Sequence, residues 1–177
     1  DQRVLHIPAL DLTIWYLQYA YSFTTQSGSV RIAVARGRDR LRSGQATDWD
    51  TYRFTPRSFG FAFGKKLHFP DVCANGYWLY ASSNVFDGST GNFTGAVVWR
   101  ISLLELANGG PIHAEYVTDA TLGGGSSYPF APGGLSARMY WADTLTTTTI
   151  RIWMQDVTGL ITHIDRNTAS WSSAVAS

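Results

Sequence analysis

The sequence predicts an all-β fold made of three repeated antiparallel units, and three observations indicate it. Aromatic residues make up 14% of the 177 residues, charged residues only 15%, and Thr, Ser and Gly are frequent. Aromatic and β-branched residues favour strands, whereas Gly and Ser favour the turns between them. A short phrase with histidine and proline recurs at a fixed interval, and similar strand and turn segments follow each copy.

The recurring phrase defines the period of the repeat. His6-Ile7-Pro8 in the first copy corresponds to His68-Phe69-Pro70 in the second, 62 positions further on. Another step of 62 positions reaches Phe130 and, two residues later, Pro132. A constant interval of this length indicates similar structural units that follow one another along the chain.

Each copy contains the same order of predicted strands. The His-x-Pro phrase begins an inner strand, and an aromatic-rich strand comes after the proline, at 14–23, 76–86 and 137–145. A polar turn follows, and a second strand returns at 30–36, 96–102 and 150–156. An outer strand that carries an aromatic residue completes each copy, at 48–54, 113–119 and 169–175. Strands separated by turn signals at this spacing are typical of antiparallel sheets.

The strand pattern of each copy matches one four-stranded blade of a β-propeller. We therefore expect a single half-propeller domain over 1–177, with blades at approximately 1–60, 61–122 and 123–177. Propellers typically have about 4–8 blades, so three blades do not close a ring. Two copies would close a six-bladed ring, and a homodimer is the expected assembly. A β-sandwich and a small barrel are the competing predictions, but neither accounts for the repeated phrase.

Residues 67–109 contain the most distinctive motif of the chain. It consists of Phe69-Pro70-Asp71, Tyr80 to Phe86 with Asn84, Gly95-Ala96-Val97-Val98, and Leu106 to Gly109. This order resembles a phrase that recurs in bacterial secreted β-propeller proteins. The resemblance implies the fold and carries little information about activity. Such proteins usually hold a complete ring in one chain, and this chain is shorter.

The recurring histidines are candidate metal ligands. The first strand of each propeller blade lines the central channel, so His6 and His68 are expected to face it at the same height. With their counterparts in a second copy they would supply four imidazoles, which bind Zn²⁺ and other divalent transition metals. Phe130, at the third equivalent position, would leave an apolar gap for a substrate. Alternatively, both histidines begin inner strands and bond to local backbone groups.

Four further polar residues extend this candidate site. Asn84 and Asp143 fall at comparable points of their strands, and their oxygens could contribute to a metal site, with Ca²⁺ as the alternative to zinc. Asp71 and Asp11 follow the two His-x-Pro phrases, and either could orient a ligand or act as a general base on a metal-bound water. The structural alternative for Asp11 and Asp71 is capping of turns and strand ends.

Several other features exclude classes of function. The net charge of +1 predicts no strongly charged partner, and the arginine-rich stretch 31–42 has no basic counterpart in the second copy, so nucleic acid is not expected. A lone Cys73 excludes an intrachain disulfide and zinc sites with several cysteines. No G-x-S-x-G elbow occurs. His113 and His163 lie outside the repeat and are expected at the surface.

The cellular location is predicted only from general features. No apolar run reaches the roughly 18–20 residues of a membrane helix, so no membrane partner is expected. The chain begins at Asp1 without a signal segment, which is expected of a processed product or a fragment. Scarce charge and Thr/Ser-rich strands favour a secreted or periplasmic bacterial protein.

Two functions and one structural role follow from these residues. The first is a metal-dependent hydrolase that acts on phosphotriesters, phosphoesters or lactones at an axial zinc held by His6 and His68. The second is a lectin-like module in which exposed tryptophans stack on sugar rings. The third is an inert fragment of a larger secreted propeller.

Overall fold

The computed structural model describes residues 2–118, 122, 128–131 and 136–170. Within these residues the protein is all-β, with antiparallel sheets of four, four and three strands and two short α-helices. Each sheet contains strands that follow one another in the chain. The prediction of an all-β chain with three antiparallel sheets is therefore confirmed.

The first sheet has the order β1-β2-β3-β4. Its strands are β1 (Gln2–Ile7), β2 (Leu12–Gln18), β3 (Val30–Arg36) and β4 (Trp49–Phe54). β3 coincides with the predicted strand 30–36, but β2 ends five residues before the predicted 23, because Ser22 and Ser27 already pair across a turn. Short 3₁₀ helices lie at Pro8–Leu10, Ala46–Asp48 and Pro56–Phe59.

The second sheet has the order β5-β6-β7-β8. Its strands are β5 (Lys65–Ala74), β6 (Trp78–Asp87), β7 (Phe93–Ser102) and β8 (Ala114–Thr118). The β5–β6 ladder is irregular between His68 and Asp71, where Phe69 has a left-handed φ of 51°. A bulge of this kind bends a strand and turns a side chain out of the regular alternation.

The two α-helices occupy matching places in the first two sheets. Helix α1 (Arg38–Ser43) follows β3, and helix α2 (Leu103–Asn108) follows β7. Both helices end directly before a glycine, in the segments 38–44 (RDRLRSG) and 103–109 (LLELANG). No helix in the described part of the chain has the length and apolar character needed to cross a membrane.

The third sheet has the order β11-β10-β9, with β9 (Met139–Thr146), β10 (Thr149–Gln155) and β11 (Ile161–Asn167). In the described residues it has three strands rather than the predicted four. A single bridge between Phe130 and Trp141 lies beyond β9, where a fourth strand would stand.

The outer strand of the third sheet is not the predicted one. Strand β11 covers 161–167, whereas 168–170 is outside any strand and 171–175 lies outside the described residues. The reason is the turn after β10. The Asp156 carboxylate accepts hydrogen bonds from the Thr158 and Leu160 amides, at 2.9 Å and 3.1 Å. The chain therefore reverses at once, without the helix that separates the corresponding strands of the other sheets.

Two hydrophobic cores hold the sheets together, and the second sheet contributes to both. The first core joins the first two sheets through buried residues such as Ile14, Ile32 and Trp99. The second core joins the second and third sheets, with Tyr80, Val98 and residues of β9 and β10. Alternate residues of β6 and β7 thus point to opposite cores, and the second sheet lies between the other two.

Arg100 on β7 links the second sheet to the third. Arg100 is only 3% exposed to solvent. The guanidinium donates to Glu115 on β8 at 2.7 and 2.8 Å and to the Asp156 carbonyl oxygen at 2.9 Å, and it lies 4.0 Å from the centre of the Trp78 ring. A buried cation requires such compensation, since unpaired burial of charge is costly.

We predict that Arg100→Met lowers the free energy of unfolding by about 3 kcal/mol, because charged hydrogen bonds and the anchor to the 156–160 turn are lost. Urea denaturation measures this change. The control is Arg42→Met, which removes an exposed arginine of α1 and should cost less than about 1 kcal/mol. Equal losses in both variants would contradict the anchoring role of Arg100.

Candidate functional site

The structure places the two predicted metal-binding histidines at different positions along their strands. His6 lies one residue before the end of β1, whereas His68 lies six residues before the end of β5. Leu5 and Ile7 pack against the first core, so His6 faces away from the second sheet. His68 pairs with Asn84, beside Ala96 of the second core. The two histidines are therefore at different heights and in different layers.

The two histidines also differ in environment. His6 is exposed, and its Nδ1 lies 3.1 Å from Thr13 Oγ1. His68 is half-buried, with its ring centre 4.4 Å from Phe69 and 5.9 Å from Phe86. Burial and the nearby Lys66 lower the pKa of His68, so its imidazole is neutral at neutral pH. Its buried Nδ1 makes no hydrogen bond to any of the described residues.

Asn84 and Asp143 do lie in one layer. Both are buried, and both point into the space between the second and third sheets. Asp143 is only 4% exposed, and Trp153 Nε1 approaches its Oδ2 at 3.5 Å, while its Oδ1 has no hydrogen-bond partner in the part of the chain that the structure describes. Burial raises the pKa of Asp143. Among the described residues no three His, Cys, Asp or Glu side chains are grouped as a metal site requires.

Asp11 has a structural role in the turn between β1 and β2. Its φ of 46° is left-handed, which Asp tolerates better than most residues. Its carboxylate accepts a hydrogen bond from the Arg38 amide at 3.2 Å, and its carbonyl oxygen accepts one from Gly37. These bonds tie the turn to the start of α1, as the capping alternative predicts.

Asp71 lies at the junction of all three sheets. Its Oδ2 accepts a hydrogen bond from the Phe130 amide at 3.1 Å, and its Oδ1 lies 3.6 Å from Arg3 Nε. Phe130 is bridged to the third sheet, and Arg3 lies on β1. From the first strand of the second sheet, this carboxylate thus contacts the first strand of the first sheet and the segment that precedes the third sheet. Ser82 adds a parallel link by donating to the Tyr128 carbonyl oxygen at 3.1 Å.

A cleft of about 270 Å³ opens beside Asp71. It is lined by Arg3, Phe69, Pro70, Asp71, Ser82, Tyr128 and Pro129. Phe69 is 52% exposed because its left-handed backbone within the bulge turns its side chain outward. The cleft therefore combines an exposed aromatic ring with an adjacent carboxylate and guanidinium. Arg3 and Phe69 were not predicted as site residues, although Phe69 belongs to the distinctive F-P-D motif.

The chemistry of this cleft suits a polar ligand with an apolar face. An aromatic ring provides contact area for apolar C–H groups, and the charged pair offers both donors and acceptors. Pockets that bind small molecules typically place a few fixed polar groups among apolar and aromatic side chains. No family model, curated protein or solved structure matches the chain. The resemblance to secreted propeller proteins stays a prediction.

The raised pKa of Asp143 predicts a pH-dependent stability. Between the unfolded and folded pKa values the folded protein binds more protons, so the stability due to this group falls as pH rises through that range. We expect Asp143→Asn to raise the melting temperature at about pH 7 and to have a smaller effect near pH 4. Calorimetry at both pH values measures this difference.

The matched control is Asp165→Asn. Arg151 pairs with Asp165 and lowers its pKa, so this carboxylate stabilises the fold above its unfolded pKa and that contribution is lost as pH falls. Asp165→Asn should therefore lower the melting temperature at about pH 7. A destabilised Asp143→Asn variant at neutral pH would show that ionised Asp143 has a compensating partner.

Proposed function

We propose that the chain is a lectin-like half-propeller module whose cleft beside Asp71 binds a neutral oligosaccharide. The observation that carries this proposal is the cleft itself, which is lined by half-exposed Phe69 together with the Arg3–Asp71 pair. The C–H face of a pyranose ring fits against Phe69. Vicinal hydroxyls accept hydrogen bonds from Arg3 and donate them to Asp71. Secretion to a surface or periplasm would suit such a module.

The direction of sheet packing supports the propeller arrangement. The terminal residue pairs of the last two strands correspond in all three sheets: Ala35–Trp49, Ile101–Ala114 and Gln155–Ile161. Ile101 and Ala114 face the core shared with the first sheet, and Gln155 pairs with Met139, which faces the second. The second and third sheets thus pack against the preceding sheet through equivalent faces, as successive propeller blades do. In a sandwich, equivalent faces of two sheets would pack against each other.

The two outermost faces support completion of the ring by a second copy. Trp15, Ala33 and Val4 lie in one row on the outer face of the first sheet, and Trp15 contacts Trp49 edge-to-face at 6.2 Å. The outer face of the third sheet carries Ile152 and Ile164 as direct neighbours. Internal junctions of this protein are built from the same residue types, and exposed apolar patches mark association surfaces.

We predict a homodimer by sedimentation equilibrium. Ile152→Glu should reduce the mass to that of a single chain, because it places a charge in the apolar junction. The control Leu104→Glu changes an exposed leucine on α2, away from both outer faces, and should leave the dimer intact. A monomeric wild-type protein, or dissociation by Leu104→Glu alone, would contradict ring closure through these faces.

We predict that Phe69→Ala and Arg3→Gln each weaken oligosaccharide binding at least about tenfold, since each removes one of the two contacts. A glycan array identifies the ligand and calorimetric titration measures the affinities. Phe93→Ala, a similarly exposed aromatic outside the cleft, should bind like the wild type. An array without neutral oligosaccharide ligands, or unchanged affinity in both variants, would overturn the proposal.

The metal-dependent hydrolase stays a prediction from the sequence. It requires His6 and His68 of two chains to meet at one axial site, whereas the two residues occupy different positions along β1 and β5. Metal analysis of the dimer distinguishes the two functions. Stoichiometric zinc that is lost in His6→Ala and His68→Ala, together with ester hydrolysis, would favour the hydrolase. Oligosaccharide binding that survives chelation is expected of the module.

A further inference from the structure

A second cleft, separate from the one beside Asp71, lies between the β2–β3 loop and the segment that joins β4 to β5. Its volume is about 210 Å³. Its lining residues come from both segments and from the adjoining ends of β4 and β5. None of these residues belongs to the cleft of the proposed function or to the predicted metal site.

Backbone hydrogen bonds hold the two walls of this cleft together. The Gly64 amide donates to the Gln26 carbonyl oxygen at 3.2 Å, and the Gly28 amide donates to Lys65 at 3.2 Å. A Cβ atom at residue 28 would lie only 2.5 Å from the Cβ atom of Lys66. Only glycine therefore allows the two chain segments to approach each other this closely. The cleft is therefore built into the fold before any ligand arrives.

The cleft has an excess of positive charge. Lys65 is paired with Asp87 at 3.2 Å. Arg53 and Arg57 both line the cleft, and no carboxylate in the described ranges lies within 4.0 Å of either guanidinium. The Arg57 guanidinium is positioned 4.3 Å from the centre of the Phe63 ring, which orients the group without neutralising it. Two of the three cations are thus uncompensated.

A third arginine adds to this excess. Arg31 on β3 is directly opposite Arg53 on β4 in the antiparallel ladder. Like charges at such positions destabilise a sheet. Arg31 stacks on Tyr19 at 4.7 Å, and it makes no ion pair within the residues the structure covers. A bound anion beside Arg53 would relieve this repulsion.

Hydroxyl groups complete the lining. Thr25 and Thr55 line the cleft from the two opposite segments, and the buried Ser27 hydroxyl has no hydrogen-bond partner among the residues described. Guanidinium groups and hydroxyls donate to oxygen acceptors from several directions. A tetrahedral oxyanion presents three terminal oxygens to such donors, whereas a carboxylate presents two in one plane.

We propose that this cleft binds a tetrahedral oxyanion, either a sulfate or a phosphate monoester group, through Arg53 and Arg57. Phe63 and Pro56 form the apolar side against which the remainder of the ligand packs. Because none of its residues contacts the cleft beside Asp71, oxyanion binding does not depend on oligosaccharide recognition there.

Calorimetric titration with inorganic sulfate and inorganic phosphate tests this site, with sodium chloride at equal ionic strength as the reference. We expect saturable binding that weakens about tenfold or more in Arg53→Gln and in Arg57→Gln. Arg42→Gln removes an exposed arginine of α1 outside the cleft and should bind like the wild type. Galactose 6-sulfate and glucose 6-phosphate then distinguish the two ester sources by relative affinity.

A second measurement uses the opposed arginines. At low salt without added oxyanion, Arg53→Gln should have an equal or higher melting temperature than the wild type, because the repulsion with Arg31 is removed. Heats that match those of chloride, or binding retained in both cleft variants, would overturn the proposal. A lower melting temperature of Arg53→Gln at low salt would also contradict it, since Arg53 would then have a compensating protein partner.

Discussion

Burial of the second sheet on both faces is the constraint on which the rest of the structure depends. Alternate side chains of β6 and β7 contribute to the two hydrophobic cores. Each neighbouring sheet therefore buries its inner apolar face against the second sheet. Burial of apolar surface is the main favourable term in folding. The nearly uninterrupted apolar stretch of β7 reflects this requirement, because a strand buried on both sides does not alternate between apolar and polar residues.

Polar contacts then define how the three sheets meet. Asp71 contacts Arg3 and the Phe130 amide, and Arg100 reaches the turn after β10. Because directional bonds need their partners at particular distances, they fix the relative position of sheets that apolar packing alone would leave adjustable. The bulge that places Asp71 also exposes Phe69. The same local distortion therefore positions the link between sheets and forms the cleft.

Much of the secondary structure could be predicted from the sequence, and the relation between the histidines could not. Strand β3 follows from an apolar stretch bounded by glycine and polar residues. The left-handed Phe69 has no comparable signal, since bulky residues rarely adopt that conformation. It interrupts β5, so an equal interval in sequence does not correspond to an equal position in the sheets. The Asp156 turn shifted the last strand for a similarly local reason.

Strand order that follows chain order has a consequence for how the molecule is made. Every hairpin forms between neighbours in sequence, so little loop-closure entropy is lost before its contacts form. The first sheet can form while later residues are still being synthesised, and its apolar face stays exposed until the second sheet packs against it. During synthesis the sheets would then form in chain order, and each new sheet would bury the apolar face of the preceding one.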